Sequence, residues 1–588
     1  MIVRWLGARY APWVVIVIGL ALAAPAVTAD FTADDHLHRV IERDDTGIAG
    51  LQSRPLDLFV FAPGNPAEMA QLRDGGLFPW WVDPSLRLSF MRPLSSATHA
   101  LDHELWPDSA PLQLAHNLVW QALALVVAWL FFRRFIPQRW IAVLALALYA
   151  FDDARGPVVG WIANRNALVA LCLAVPVLLA HDRWRREGWA RGRYLAPLAF
   201  AIALGAGESS VAILAYIFAH ALWLDRGSWR DRALALVPYV ILVVGWRVIY
   251  AKLGYGVVGS GIYLDPGADP LAFLHAAAVR LPFLLQGQLA LPWSDFASFY
   301  PVLGVLVTML VIALVTLAVI GLACARLLRR DANARFFATG MLLAAVPVAS
   351  TFPADRLLTF IGLGGMGLLA QFLAAAVRQR ELLGDGRLRR VAITIVAVVM
   401  LILHLVLAPP FLVLRARSMV AVGRVLDRAD ASIPAAPTVI IAATPSDALV
   451  GYVPIMRQSR GQSRPAHVYW LATLTTAVTF ERLDARTLRV SPERGFLLHE
   501  LDQMTRSPRI RPFAIGDRIE LTGLTIEIES ITADGRPLSV LAHFAQPLDD
   551  SSLTWLRWQG HAYVPYMPPA VGARDTLPAV DFSKLLDD

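Results

Sequence analysis

The chain has 588 residues and a net charge of +7; 56% of its residues are hydrophobic and only 17% are charged, with a mean hydropathy of +0.53. Soluble globular chains carry about 25% charged residues, so this composition excludes a soluble enzyme and an intrinsically disordered protein. The two cysteines, Cys172 and Cys324, lie in apolar runs, which excludes a disulfide framework and a cysteine-rich metal site. The basic excess consists almost wholly of Arg and suits cytoplasmic membrane loops, so nucleic-acid binding has little support.

Long apolar runs predict a polytopic membrane protein. A helix needs about 20 apolar residues to cross the hydrocarbon core, and the sequence offers about eleven such runs. The predicted spans are 12–29, 113–132, 139–152, 157–180, 194–206, 209–224, 233–250, 302–325, 336–352, 357–377 and 391–413.

Arginine clusters fix the predicted orientation. They fall in alternate loops, for example at Arg133 and Arg134 and at Arg185 and Arg186. The positive-inside rule makes these loops cytoplasmic, so we expect a cytoplasmic N-terminus and an extracytoplasmic C-terminal region in a bacterial inner membrane. Residues 26–29 also resemble a signal-peptide cleavage site, and either a retained helix or a cleaved signal leaves the following segment outside.

Two segments of the predicted membrane part do not read as spans. Residues 30–112 form a large external loop rich in Pro, Trp and acidic residues. In residues 271–292, His275, Arg280 and Gln286 interrupt a run of Leu and Phe, which predicts an amphipathic helix at the membrane interface; a frayed membrane helix is the alternative.

The composition changes after Arg415, where Pro, charged and turn residues become frequent. Short runs typical of strands follow at Val439–Ala442, Val468–Leu471, Ile519–Ile531 and Leu538–Phe544, with a turn signal at Ala533-Asp534-Gly535. The sequence therefore predicts an all-α transmembrane domain over 1–414 and a soluble, mostly β, sandwich-like extracytoplasmic domain over 415–588.

Adjacent carboxylates stand where the first predicted helix meets water, at Asp34 and Asp35. A carboxylate at this position can take a proton from an acceptor hydroxyl as a general base. The pair also offers oxygen ligands to a divalent cation, although two carboxylates are too few to assign one. A helix cap or a solvated pair is the structural alternative.

Further ionisable side chains are predicted to converge on the outer leaflet. An Arg at membrane depth costs about 2.5–3.5 kcal/mol to insert, so Arg165 is expected to have a partner or an anionic ligand, unless its side chain snorkels to the surface. The other candidates on this side are Arg92, His116, Glu208 and Arg356.

The order of these motifs resembles the GT-C superfamily of polytopic glycosyltransferases. It is most similar to the O-mannosyltransferase-type members that usually carry tetratricopeptide repeats, and it covers roughly residues 1–410. The motifs that carry the resemblance are Asp34-Asp35, Arg92-Pro93-Leu94, His116-Asn117, Trp161-Ile162-x-x-Arg165, Glu208 and Asp355-Arg356.

The resemblance implies transfer of a sugar from a polyprenyl-phosphate carrier to an acceptor on the outer face of the membrane. Asp34 or Asp35 then matches the acidic residue that serves as base or as an acceptor and metal contact, and Arg92, Arg165 and Arg356 match positions where a cation holds the lipid-linked phosphate.

Three features depart from the family pattern. Gly207 precedes Glu208 where relatives often have Lys, residues 151–157 replace a His-Pro-type loop, and a β-rich tail replaces the helical repeats. These departures leave the donor sugar and the acceptor, protein or glycan, open.

The sequence thus predicts an integral membrane hexosyltransferase that uses a lipid-phosphate-linked donor. A transporter or flippase of a lipid-linked glycan and a non-catalytic envelope scaffold are the alternatives. For the outer domain, Trp555-Leu556-Arg557-Trp558 suggests an aromatic surface for a sugar, with packing in a β core as the alternative.

Overall fold

The computed structural model describes residues 2–299, 303–378, 386–582 and 585. Its helices are α1 Ile2–Leu6, α2 Ala11–Ala23, α3 Asp34–Ile41, α4 Pro66–Asp74, α5 Pro93–Leu105, α6 Ala110–Phe135, α7 Arg139–Ala150, α8 Arg155–Val159, α9 Asn166–Glu187, α10 Gly192–Leu204, α11 Ile213–Trp223, α12 Trp229–Lys252, α13 Pro270–Leu289, α14 Asp295–Phe299, α15 Leu303–Arg330, α16 Ala332–Val348, α17 Thr359–Arg378, α18 Arg387–Leu401, α19 Ala408–Arg415, α20 Ser418–Ala431, α21 Ala448–Gly451 and α22 Val453–Arg460.

Within the described ranges, thirteen strands are distributed over three sheets. They are β1 Val60–Pro63, β2 Arg87–Ser89, β3 Gly256–Val258, β4 Thr438–Thr444, β5 His467–Thr473, β6 Val478–Arg482, β7 Thr487–Pro492, β8 Arg518–Leu521, β9 Leu524–Ile531, β10 Pro537–Phe544, β11 Leu553–Gln559, β12 Ala562–Pro565 and β13 Arg574–Leu577.

The chain divides into two compact units, and both are discontinuous in sequence. The first unit consists of residues 1–30, 90–254 and 266–419, and it is almost wholly helical. The second unit consists of residues 31–89, 255–265 and 420–588, and it contains all three sheets. The predicted combination of a helical part and a mostly β C-terminal part is thereby confirmed.

The helical unit has the lengths and composition of a multi-pass membrane protein. Among the described residues, seven helical stretches are long and apolar enough to cross a bilayer, and four shorter apolar helices accompany them. The first of the seven, Ala11–Thr28, coincides with the predicted span at 12–29. The predicted span at 302–325 begins at a residue outside the described ranges. Residues 270–289 are helical as predicted, as α13. The exact number of crossings and the interfacial position of α13 stay predictions.

Small residues allow the helices of the first unit to approach closely. The core contains a cluster of aromatic rings that includes Phe131, Phe336 and Phe337. A Cβ atom on Gly367 of α17 would lie 2.3 Å from Cδ1 of Phe337 on α16. Only Gly fits at this crossing, which is how close helix packing is achieved within a membrane, where no hydrophobic effect drives association.

The larger sheet of the second unit is antiparallel, with strand order β13-β6-β7-β10-β9-β8. The predicted run at 519–531 divides into β8 and β9, because Gly523 turns the chain with φ of 78°. The predicted turn before β10 is confirmed, and Gly535 takes φ of 75° there. Only Gly adopts this left-handed conformation without steric cost.

The smaller sheet differs from the predicted sandwich. Its order is β12-β11-β4-β5, and β4 runs parallel to both β5 and β11, with α21 and α22 on the β4–β5 connection. Parallel strands are buried on both faces and lack alternation, so the short apolar runs revealed strands but not their direction. Trp555 and Trp558 of β11 are 7% and 6% exposed, so the suggested aromatic surface is wrong and both rings pack in the core.

Candidate functional site

The two predicted catalytic carboxylates open α3 of the second unit. Asp35 is 3% exposed, and its Oδ2 accepts a hydrogen bond from the backbone N–H of Thr32 at 3.0 Å. Asp34 is half-buried, and its Oδ1 accepts a hydrogen bond from the hydroxyl of Tyr452. Burial and the neighbouring Asp34 carboxylate raise the pKa of Tyr452 well above its ordinary value, so this hydroxyl remains a donor. Asp34 is therefore the more accessible carboxylate of the pair.

Backbone strain marks the residue before this pair. Ala33 has φ of 53° and ψ of −117°, in a region that residues other than Gly rarely adopt. Such conformations cost about 1–3 kcal/mol and cluster at functional sites, where the surrounding structure enforces them. The strain places both carboxylates in the first turn of α3, where the helix dipole favours negative charge.

The oxygen atoms of Asp34 and Asp35 do not support a site for a divalent cation. One oxygen of each carboxylate already accepts a hydrogen bond from the protein. Within the described ranges, no group of three or more His, Cys, Asp or Glu side chains is arranged to hold a metal ion. The metal stays a prediction, and we derive no step through it.

His36 follows the carboxylate pair and gives the second unit a dependence on pH. It is 1% exposed, and its Nδ1 lies 2.6 Å from Oγ of Ser459. Burial, together with the positive charges of Arg460 and Arg39, lowers the pKa of His36 from 6.5 to about 3. The folded protein holds this ring neutral, whereas the unfolded chain binds a proton below pH 6.5.

We therefore expect His36 to cost stability as the pH falls from 6.5 toward 3. The loss amounts to about 2 kcal/mol by pH 5, at 1.36 kcal/mol per pH unit. Burial raises the pKa of Asp447 to about 8 and that of Asp502 to about 6, which acts in the opposite direction. The measurement is thus the difference in unfolding temperature between wild type and His36→Gln at pH 7.5 and pH 5. The exposed His561→Gln should behave as wild type, and an acid dependence shared by all three proteins would contradict the assignment.

Arg165 and His116 belong to a closed network in the first unit. Arg165 is fully buried; its Nε donates to Oδ1 of Asn117 at 2.6 Å, and it forms an ion pair with Asp102. Its Nη1 and Nη2 donate to the carbonyl oxygens of Thr98 and Gln113, both at 3.0 Å. The charged partner of Arg165 is thus Asp102, whose Oδ1 also lies 2.6 Å from Nδ1 of His116. Because protein acceptors engage every nitrogen of the guanidinium group, the geometry favours a positioning role for Arg165 over contact with a phosphate.

Arg92 and Glu208 form a second pair in the same unit. Nε of Arg92 donates to Oε2 of Glu208 at 2.8 Å, and the hydroxyl of Tyr250 donates to Oε1 at 3.0 Å. A Cβ atom on Gly207 would lie 3.6 Å from the Arg92 side chain. The guanidinium of Arg92 therefore brings positive charge next to the position where Gly207 departs from the family pattern.

Arg356 stands apart from the other predicted cations because its donors are not engaged. Its guanidinium carbon lies 5.3 Å from the ring centroid of Trp161 and 5.6 Å from that of Phe352. Arg356 makes no hydrogen bond or ion pair with any residue of the described ranges. Nε1 of Trp161 is likewise buried without a hydrogen-bond partner in the described part of the chain. A planar, half-exposed guanidinium held by aromatic rings suits bidentate binding of a phosphate.

A cluster of carboxylates lies next to Arg356, and its assembly around Arg415 was not predicted. Arg415 pairs with Asp355 at 2.5 Å, with Asp295 at 2.6 Å and with Asp153 at 2.9 Å. Burial raises the pKa of Asp153 and of Asp295, and the charges of Asp152 and Asp355, respectively, raise them further. Carboxyl groups that titrate closer to neutral pH are typical of functional sites.

The four members of this cluster come from distant parts of the sequence. Asp153 follows α7, Asp295 begins α14, Asp355 precedes α17 and Arg415 ends α19. The sequence offered two signals: the acidic pair within residues 151–157, which we interpreted only as a departure from the family pattern, and Asp355, which we noted only as part of the Asp355-Arg356 motif. Arg415 was interpreted only as a domain boundary.

The five predicted binding residues all lie in the first unit, whereas Asp34 and Asp35 lie in the second. The structure brings Arg92 together with Glu208 and His116 together with Arg165. Arg356 makes no hydrogen bond or ion pair with these four side chains, but it stacks on Trp161, whose carbonyl oxygen accepts a hydrogen bond from Asn117 of the Arg165 network.

No protein-family model and no curated protein matches the sequence. Among solved structures, the chain is similar to the oligosaccharyltransferase of Archaeoglobus fulgidus tethered with an acceptor peptide, at 12% identity and a TM-score of 0.39 over 78% of this chain. The chain spans 64% of the length of that protein.

ArnT from Cupriavidus metallidurans is a further similar structure. Bound to undecaprenyl phosphate, it matches at 12% identity and a TM-score of 0.35; in the apo state it matches at 14% identity and 0.33. Each match covers 78% of this chain and 86% of ArnT. At these identities and TM-scores, the reaction has to be inferred from the chain's own side chains. The tetratricopeptide-bearing O-mannosyltransferase subtype stays a prediction.

Proposed function

We propose that the chain is a membrane glycosyltransferase that moves a sugar from a polyprenyl-phosphate carrier to an acceptor hydroxyl at the outer face of a bacterial inner membrane. The observation that carries the proposal is Arg356, whose donors are unengaged beside the Asp295–Asp355–Arg415 cluster of a multi-pass membrane protein. A cation with unengaged donors at this position suits an anionic lipid headgroup, because a planar guanidinium binds a phosphate through two parallel hydrogen bonds.

The reaction needs only positioned groups. The acceptor oxygen attacks the anomeric carbon while the bond from that carbon to the phosphate oxygen breaks, and the bonding electrons leave with the polyprenyl phosphate. Arg356, with Arg92, stabilises the charge on the departing phosphate. A carboxylate takes the proton of the acceptor hydroxyl, which completes the balance, and Asp34 is the candidate that the sequence motif offers for this role. The side chain of Glu208 holds that of Arg92 in place. The Arg165–His116 network positions the helices from which these residues come.

Replacing Arg356 tests this proposal most directly. We expect Arg356→Gln to lower kcat/KM for the lipid-linked sugar roughly 10- to 150-fold, since hydrogen bonds to charged groups contribute about 1.5–3 kcal/mol. Arg356→Lys should recover only part of the loss, because Lys keeps the charge but not the planar fork. The measurement is the consumption of polyprenyl-phosphate-linked sugars by the purified protein, with free undecaprenyl phosphate as a competing inhibitor.

Arg417 provides a matched control because it is exposed and its side chain makes no hydrogen bond or ion pair with the described residues. Arg417→Gln should keep wild-type kinetics and wild-type inhibition. Turnover and inhibition that are identical in Arg356→Gln and wild type would remove Arg356 from the site. A wild-type protein that consumes none of these lipids would instead favour the transporter or scaffold alternatives.

A further inference from the structure

The far end of α9 carries a charged surface that the proposed function does not use. Helix α9 has 22 residues, so its last residue lies about 30 Å from Arg165 at its start. The start of α10 packs here, because a Cβ atom on Gly192 would lie 2.8 Å from that of Trp184. The segment before α12 also packs here, because Arg185 donates to both carboxylate oxygens of Asp225. These three helix ends therefore form one surface of the first unit.

Positive charge is in excess on this surface. Residues 181–193 and 225–232 contain eight Arg but only four Asp or Glu. All four carboxylates are engaged within the unit: Asp182 and Glu187 by Arg134, Asp225 by Arg185, and Asp231 by the hydroxyl of Ser228. Four exposed arginines make no hydrogen bond or ion pair with any residue of the described ranges, and we call them the basic patch: Arg191, Arg193, Arg226 and Arg230.

An exposed apolar stripe continues from the basic patch along each of the two helices. Residues four, seven and eleven positions apart lie on the same face of a helix. On α10, the exposed side chains at these spacings from Arg191 are Leu195, Leu198 and Ile202. On α12, those at the same spacings from Arg230 are Leu234, Val237 and Ile241. Each helix thus presents a cation at its start and an apolar surface directly beyond it.

Aromatic side chains indicate the depth of the basic patch in the membrane. Tyr194 and Trp229 are 71% and 67% exposed and stand next to Arg193 and Arg230 in the sequence. Such exposed rings are typical of the layer where lipid headgroups meet the hydrocarbon core. The guanidinium carbon of Arg232 lies 4.5 Å from the ring centroid of Trp229 and helps to hold that ring. The patch therefore lies at the level of lipid phosphates.

We infer that the basic patch binds the phosphate of an anionic phospholipid whose acyl chains lie on the stripes of α10 and α12. A phospholipid matches both parts of the surface, whereas a soluble phosphate would use the guanidinium groups alone. The positive-inside rule accounts for arginines in these loops, but it requires only charge and not a cation above an apolar stripe on each helix. The inference does not depend on the proposed function, in which Arg356 holds the phosphate of the donor.

The test measures how much phospholipid stays bound to the full-length protein in a neutral detergent. Native mass spectrometry counts the bound lipids during titration with dioleoyl phosphatidylglycerol or dioleoyl phosphatidylcholine, which share their acyl chains and differ in net charge. The two patch variants are Arg191→Gln/Arg193→Gln and Arg226→Gln/Arg230→Gln. The control, Arg486→Gln/Arg494→Gln, removes the same charge from exposed side chains of the second unit that make no hydrogen bond or ion pair with the described residues.

At low ionic strength, we expect wild type and the control to bind phosphatidylglycerol at least about 10-fold more tightly than phosphatidylcholine. Each patch variant should bind phosphatidylglycerol about 25-fold more weakly than wild type, because one Arg near an anionic lipid contributes about fivefold in affinity. Its binding of phosphatidylcholine should not change. Added salt should weaken the binding of phosphatidylglycerol to wild type, because exposed charges are screened. Equal binding of phosphatidylglycerol by the patch variants and wild type would overturn the inference.

Two further measurements separate the basic patch from other sites and ligands. Arg356→Gln should bind phosphatidylglycerol as wild type does, and a loss of this lipid in Arg356→Gln alone would place it in the donor site and overturn the inference. Glycerol phosphate carries the phosphate without acyl chains, so it should not displace the lipid at millimolar concentration; displacement would indicate a site for a soluble anion instead. If a patch variant does not fold, Arg191→Gln and Arg230→Gln replace it as single variants, each with an expected loss of about fivefold.

Discussion

Asp34→Asn is expected to reduce sugar transfer by about 100- to 10 000-fold, the range that general-base catalysis contributes. Asn has the shape of Asp, and its Oδ1 can still accept the hydrogen bond from the hydroxyl of Tyr452. It cannot take a proton from the acceptor hydroxyl. The measurement is the initial rate at which the purified variant consumes the polyprenyl-phosphate-linked sugar, with the amount of folded protein matched to wild type.

Neighbouring carboxylates supply the controls for this variant. Asp44 is exposed and makes no contact with the described residues, so Asp44→Asn should leave the rate unchanged. Asp35 is buried and holds the turn before α3 through Thr32, so Asp35→Asn should lower the unfolding temperature as well as the rate. A rate for Asp34→Asn within about threefold of wild type would show that the base lies elsewhere, and Asp153→Asn would be measured next.

A residue that orients the base should have a smaller effect than the base itself. Tyr452→Phe removes one hydrogen bond to Asp34, which is worth about 1.5–3 kcal/mol when one partner is charged. If Asp34 is the base, the transfer rate of Asp34→Asn should be lower than that of Tyr452→Phe at every pH at which the Asp34 carboxylate is ionised in wild type.

Hydropathy revealed the helical part of the fold because a bilayer demands long apolar helices. The helical stretches Ala11–Thr28, Trp229–Lys252 and Thr359–Arg378 coincide closely with predicted spans. The antiparallel strands could be predicted equally well, since alternation and the turn at Gly535 are local features of the sequence. The parallel pairing of β4 with β5 could not be predicted, because buried parallel strands show an apolar run without any alternation.

The discontinuous second unit illustrates what local patterns cannot reveal. Residues 31–89 and 255–265 belong to it together with residues 420–588. The contact that links these segments is a tertiary one, such as the indole N–H of Trp80 donating to the carbonyl of Leu471 at 3.1 Å. Nothing in the composition of the first loop distinguishes such a contact from solvent exposure.

The sequence predicted a feature of the candidate site only where burying a single charged residue in the membrane would by itself cost free energy. An Arg in an apolar run has to find a partner, and this argument correctly anticipated the ion pair of Arg165. The cluster of Asp153, Asp295 and Asp355 around Arg415 could not be derived in this way, because each member lies near a helix end, where charge is ordinary.

Arg165→Met is expected to destabilise the protein by about 3–5 kcal/mol, the cost of removing one partner of a buried ion pair. Met fills much of the same volume, so the loss comes from charge and not from a cavity. Asp102 would remain fully buried beside His116, and the carbonyl oxygens of Thr98 and Gln113 would lose a donor. The measurement is the free energy of unfolding in detergent, with the exposed Arg191→Met as the control.

A double variant distinguishes a loss of stability caused by the broken ion pair from one caused by altered packing. In Arg165→Met/Asp102→Leu both charges are gone, and replacing a buried pair by apolar residues is often neutral or stabilising by about 1–4 kcal/mol. We therefore expect the double variant to be more stable than Arg165→Met alone. Transfer activity should remain low in both, because His116 and Asn117 lose the groups that orient them. A double variant that is less stable than the single one would show that the pair contributes net stability, and full activity in Arg165→Met would remove the positioning role from Arg165.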